Sequence, residues 1–134
     1  MPKKVSTSHA PAALGPYSQA IEAGGMVFCS GQVGVDPATK ELADGIEAQT
    51  EQALRNLSAV LEAAGLAMSD VVKTTLWLTD AADFAAVNAV YGRHFPEPAP
   101  ARSAPIVAAL PLRGARISIE AIAIKPDHGS IRTA

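Results

Sequence analysis

An α+β domain, with two amphipathic helices covering one face of a single sheet, is the fold class predicted by this sequence of 134 residues. Three observations predict it. Short runs of alternating or β-branched apolar residues lie near both ends, bounded by glycine and proline. Two longer stretches in the middle carry apolar residues at helical spacing. The two kinds follow one another in the order ββαβαββ, and the length suits one domain, residues 1–134, with a core of about 9–125.

Residues 1–16 are rich in Ala, Pro, Ser and Thr and read as an extended, loose lead-in. YSQAIEAGGMVFCSG then carries two short strands about Gly24-Gly25, a pair able to supply the positive φ angles of a tight hairpin turn. QVGVDPATKELADG is a loop with its turn at Asp36-Pro37. Asp44-Gly45-Ile46-Glu47 has the form of a capping box, with Asp44 as the cap and Glu47 three residues on. The helix it opens runs to about Ala64 on an apolar stripe of Ile46, Ala53, Leu57, Leu61 and Ala64. Glu51 and Arg55 pair on its outside, and Gly65 stops it.

DVVKTTLWL is a strand with Val72, Thr74, Leu76 and Leu78 on one face. Asp80 caps a second helix, whose stripe of Phe84, Val87, Asn88, Tyr91 and Phe95 ends where prolines begin. RSAPIVAAL and RISIEAIAI are the last strands, joined by a turn at Arg113-Gly114, and the polar tail from Lys125 is expected to be disordered. On the last strand Ile117, Ile119, Ala121 and Ala123 share one face, and Ser118, Glu120, Ile122 and Ile124 share the other. Apolar residues on both faces imply cover on both sides, such as a second subunit would give.

Composition removes several classes of function. A net charge of −2, 4% aromatic residues and no basic run longer than Lys3-Lys4 speak against a nucleic-acid surface. Cys29 is the single cysteine, so no internal disulfide forms and a reducing, cytoplasmic setting is expected. No secretory leader is visible, and no run approaches the ~18–20 apolar residues of a membrane helix. His9, His94 and His128 are scattered, with no metal-site spacing. Phosphate-binding glycine loops and a Gly-x-Ser-x-Gly elbow are absent. Cys29, mid-strand and far in sequence from any histidine, reads as a buried, inert thiol.

Five residues keep a claim to chemistry. Arg102 is the only cation between Pro96 and Pro111, a stretch holding five of the chain's ten prolines. A guanidinium cannot be neutralised by losing a proton, so burial needs an anion or several acceptors. Three roles stay open: an exposed arginine, an ion pair with Glu120, or a cradle for a ligand carboxylate. Asn88 on an apolar stripe must be hydrogen-bonded, whether to tie a loop or to serve a site. Tyr17 reads as a core plug or an acid, and Ser30, before Gly31, as a backbone tie or a site hydroxyl. Glu120, among Ile and Ala, needs a cation or takes a raised pKa.

An ordered set of short motifs carries a resemblance. GPYSQA at 15–20, SGQ at 30–32, EAAGL at 62–66, VKTT at 72–75, Asn88 with Tyr91 and Phe95, PARS at 100–103, LP at 110–111 and IEAIAI at 119–124 occur in that order. Together they resemble the reactive-intermediate deaminase (Rid, YjgF-type) family over roughly residues 9–125. The resemblance implies a chorismate-mutase-like fold and a homotrimer whose sheets form a barrel-like core, with sites in the clefts between subunits. It implies cofactor-free hydrolysis of enamines and imines of 2-oxo acids, such as 2-iminopropanoate or 2-iminobutanoate, to the oxo acid and ammonia. Arg102 would then grip the substrate carboxylate, and Tyr17, Ser30, Gly31, Asn88 and Ala104 would line the cleft.

The chain departs from the family pattern in two places. Where deaminating members read Glu-Ile-Glu and the first glutamate holds the attacking water, this strand reads Ser118-Ile119-Glu120. Glu120 lies on the same face but ~7 Å farther along. Ala104 stands where a cysteine is common, and Pro105 forces it to be extended. Replacing a charged acceptor by serine is expected, if nothing compensates, to slow hydrolysis by ~10–10³-fold, leaving weak activity that Ser118→Glu raises. A non-catalytic trimer binding small carboxylates or a partner protein is the alternative that Ser118 favours. A ribonuclease or translation inhibitor, a label some members carry, is disfavoured by the acidic charge balance.

Overall fold

The structure is a computed structural model that describes residues 1–126, so most of the tail expected to be disordered lies outside the described residues. Eight strands and helices follow in order: β1 (Lys3–Val5), β2 (Ala20–Ala23), β3 (Met26–Val33), α1 (Ile46–Ala63), β4 (Val71–Leu78), α2 (Phe84–Tyr91), β5 (Ala101–Ser103) and β6 (Ile117–Ile124). Among the described residues the strands form one six-stranded sheet in the order β1-β2-β3-β6-β4-β5. Every pairing is antiparallel except β4–β5, which α2 connects as a parallel crossover.

The α+β class holds, with both helices on one face. Leu54, Leu57 and Leu61 of α1 and Val87 and Val90 of α2 bury against Leu76 and Leu78 of β4 and Ile117 and Ile119 of β6. Each fully buried side chain of this size contributes about 1.5–3 kcal/mol of transfer free energy. Gly24 and Gly25 turn the β2–β3 hairpin with φ of 59° and 77°, as their sequence implies.

Several elements differ from the sequence expectation. The lead-in is not loose: Lys3 pairs with Glu22 and Val5 with Ala20, making an extra strand. The buried Gln19 holds it as well, its amide nitrogen donating to the carbonyls of Thr7 and Pro11 and its oxygen accepting from the Thr7 amide. Asp44 does not cap α1, because Gly45, at φ 87°, is the residue that leads into the helix, with no side-chain cap. Val72 is 42% exposed, because a bulge between Val71 and Lys73 puts Val71 on the buried face instead. Asp80 caps the short 3₁₀ turn Ala81–Asp83 ahead of α2, accepting from the Ala82 amide. Phe84, counted on the α2 stripe, is exposed. The last two strands are not a hairpin: β5 pairs with β4, and β6 inserts between β3 and β4. Lys125, at the start of the expected loose tail, is tied down by an ion pair to Glu22 and a backbone bond to Gly25.

The inner side of α1 is more polar than its stripe suggests. Asn56 donates to the carbonyls of Val33 and Val35, and Gln49 donates to Gly114 O and accepts from Arg116 N. These bonds pin the loop after β3 and the loop before β6 to the helix. They are close because Gly34 has no side chain: a Cβ there would stand 2.5 Å from Gln49 O and 2.6 Å from Gln49 Cα. Gly34→Ala must push helix backbone away and is expected to cost about 1–3 kcal/mol of stability. Thermal unfolding checks this, and an unchanged Tm would mean that the approach is looser than described.

Candidate active site

Arg102 sits on the edge strand β5, directly across from Thr74. It therefore points to the helix side of the sheet, where Nη1 donates to Asn88 Oδ1 at 2.8 Å. The guanidinium lies 4.9 Å from the Tyr91 ring centroid and 5.3 Å from that of Phe84, within cation–π range. The Tyr91 hydroxyl is bonded to Thr74 Oγ1 at 2.7 Å, and burial pushes the phenol above its ordinary range despite that bond and the nearby cation. Asn88 thus serves the arginine rather than a loop. No ion pair to Arg102 forms among the described residues, so of the three roles open to it the pair with Glu120 is ruled out for a single chain.

Ser30, Gly31, Ser118 and Glu120 gather on the opposite, helix-free face. β3 and β6 change register between Cys29 and Gln32, which pushes Ser30-Gly31 out of the ladder next to Ser118. A Cβ at Gly31 would stand 2.5 Å from Ser118 Oγ, so glycine is what lets the hydroxyl sit there. Ser30 Oγ donates to the Ser18 carbonyl at 2.6 Å, the backbone tie considered from sequence. Glu120 Oε1 accepts from Trp77 Nε1 at 2.7 Å, so its partner is an indole and not the expected cation. Lys73 Nζ donates to Ser103 Oγ at 2.9 Å farther out on β4 and β5.

The remaining candidates are placed apart. Tyr17 is 54% exposed, not a core plug, and its hydroxyl accepts from the Leu14 amide. Ala104 packs on the edge of the core. Cys29 is buried, and burial pushes its thiol up to about 12, which leaves it unreactive at neutral pH. Trp77 and the aromatic support of Arg102 are functional features that the sequence motifs do not single out. Strand alternation put Trp77 on the same side of β4 as Thr75, opposite to Leu76, and could have pointed to it.

Two hollows lie elsewhere. The larger, of about 610 Å³, is on the outside of α1 and includes His9, Glu51, Arg55 and His94. Of its two carboxylates, Glu51 and Glu62, the first is already engaged: Glu51 bonds His94 at 2.8 Å and Arg55 at 2.9 Å, and His94 foremost holds it below the usual carboxylate range. The second, of about 520 Å³, is lined by Lys4, Gly15, Tyr17 and Ser18 among others. Among the described residues no three His, Cys, Asp or Glu side chains gather as a metal site, and no helix is long and apolar enough to cross a membrane.

One mixed sheet, two helices on one side and polar groups on both faces define a small α+β domain of the kind the sequence motifs resemble. The chain belongs to the endoribonuclease L-PSP family, whose model matches residues 7–125. Reactive Intermediate Deaminase A, chloroplastic, of Arabidopsis thaliana is 56% identical to it over 120 residues, 89% of this chain. The chain spans 64% of that relative's length. The 2-iminobutanoate/2-iminopropanoate deaminase of Salmonella typhimurium is 48% identical over 128 residues, 93% of this chain and 99% of the relative. The crystal structure of RidA from the Antarctic bacterium Psychrobacter sp. PAMC 21119 superposes with a TM-score of 0.88 at 48% identity, covering 91% of this chain and 98% of that one. The resemblance to the Rid, YjgF-type family is thereby borne out.

Proposed function

We propose that the protein is a cytoplasmic enamine/imine deaminase that hydrolyses 2-imino acids such as 2-iminopropanoate and 2-iminobutanoate to 2-oxo acids and ammonia. One observation carries the reading: Arg102 is held by neutral groups alone, Asn88 and two aromatic rings, and keeps donors free for a carboxylate. The names of the two deaminase relatives support the same chemistry. Arg102 and Ser118 lie on opposite faces of one sheet, so a second copy in a homotrimer is the means of bringing them to one substrate. In that cleft Tyr17, Ser30, Gly31, Asn88 and Ala104 shape the walls.

The reaction asks little of the protein. Water adds to the imine carbon, the nitrogen takes a proton, the C–N bond breaks and ammonia leaves behind a carbonyl. Pinning the carboxylate supplies orientation, and a placed base contributes a typical ~10²–10⁴-fold. No cofactor is called for. The purified protein, added to an amino-acid oxidase reaction with semicarbazide present, should lower the yield of trapped imine as it frees ammonia. An unchanged yield at any protein concentration would leave the alternative that Ser118 favours, a carboxylate-binding trimer without turnover.

A further inference from the structure

We infer that Trp77 is a positioning residue that holds Glu120 as the base for the attacking water, an inference that rests on the deaminase reading above. Water adding to an imine carbon must give up a proton. The hydroxyls of Ser30 and Ser118 are poor bases at neutral pH, and Ser30 already donates to the Ser18 carbonyl. Glu120 is the carboxylate that β6 puts on their face of the sheet.

The pairing register explains how it reaches them. Trp77 lies directly across from Ser118, while Glu120 lies across from Thr75. Diagonal neighbours on adjacent strands stand ~7–8 Å apart, a gap that an indole and a glutamate can close together. They do close it, with Nε1 donating to Oε1 at 2.7 Å. The carboxylate is thereby drawn toward the residue facing Ser118, with one oxygen fixed and the other left to accept from water. An indole N–H only donates, so Trp77 can orient the base but cannot take the proton itself. In the step, the water oxygen bonds to the imine carbon as the C=N π pair moves onto nitrogen, and one water proton passes through Glu120 to that nitrogen. The hydroxyl proton follows by the same route as the C–N bond breaks, so that ammonia leaves and the carbonyl forms.

The decisive variant is Trp77→Phe, which keeps an aromatic ring and removes the donor. It should lower kcat on 2-iminopropanoate by about 10- to 100-fold while KM stays within about twofold. Glu120→Gln should lower kcat by about 10²-fold or more, and adding Trp77→Phe to it should cost nothing further. Trp77 is the only tryptophan in the chain, so its indole ¹⁵N–H resonance reads the bond without any turnover. That signal should move upfield in Glu120→Ala at unchanged oligomeric mass. Ser118→Glu is then not expected to raise the rate, contrary to what the sequence alone predicts. Wild-type kcat in Trp77→Phe, or a full Trp77→Phe effect on the Glu120→Gln background, overturns the inference. So does a silent Glu120→Gln combined with a gain in Ser118→Glu. An inactive wild type overturns the deaminase reading and this inference with it, whereas an active wild type indifferent to Trp77→Phe overturns this inference alone.

Discussion

Arg102→Ala should leave the assembly intact and lower kcat/KM on 2-imino acids by about 30-fold to several thousand-fold. That range corresponds to about 2–5 kcal/mol, the usual cost of truncating one partner of a desolvated, hydrogen-bonded charge pair. The side chain fills no core volume; it leans on Asn88, Tyr91 and Phe84 at the sheet edge. Arg102→Lys should recover only part of the loss, since an ammonium cannot make the paired bonds of a planar fork or stack on the rings in the same way. Binding of a 2-oxo acid product, followed by calorimetry, gives the same comparison without turnover. If affinity is unchanged and the oligomer dissociates, Arg102 is an interface residue and the site lies elsewhere.

Phe28→Glu should convert the protein into a folded, inactive monomer. Phe28 is 43% exposed on the helix-free face, across from Ile21 and Ile122, with Ile124, 47% exposed, nearby on β6. An apolar patch on an uncovered sheet face is costly to leave in water and suits contact with like copies. Placing a carboxylate there buries one unpaired charge per subunit, at several kcal/mol each. Because the ring makes no part of the single chain's core, circular dichroism should be unchanged while light scattering falls from three chain masses to one. A monomeric wild type at micromolar concentration, or a trimeric Phe28→Glu, would end the proposal of a site shared between copies.

What could be read from sequence follows the range of the interaction. The β2–β3 hairpin, α1 and β4 are written in local patterns, a Gly-Gly turn, a helical stripe and a β-branched run, and they appear where expected. The strand Lys3–Val5 is three residues long and mostly charged, so its membership depends on Glu22 and Ala20, about fifteen to twenty residues away. Val72 shows how one bulge inverts the reading of a strand that is otherwise correct. The partner of β6 could not be guessed from the turn before it, because sheet order is settled by which strands α1 and α2 can cover. For the site, the chemistry of Arg102 was legible as an unneutralisable charge among prolines. Its neutral supports and the bond from Trp77 to Glu120 were not, since each joins residues from different elements.

The position of β6 has a consequence for how the protein is made. A ribosome completes β1 through β5 before residue 117 exists, yet β6 belongs between β3 and β4. Without it the sheet has no pairing between the hairpin side and the β4–β5 side, and β3 and β4 each present a bare strand edge where the middle of the sheet belongs. Unpaired edges of this kind are where newly made chains stick to one another. The insertion of one eight-residue strand covers both edges at once, so the exposure to such contacts ends only with the last strand of the chain to be made.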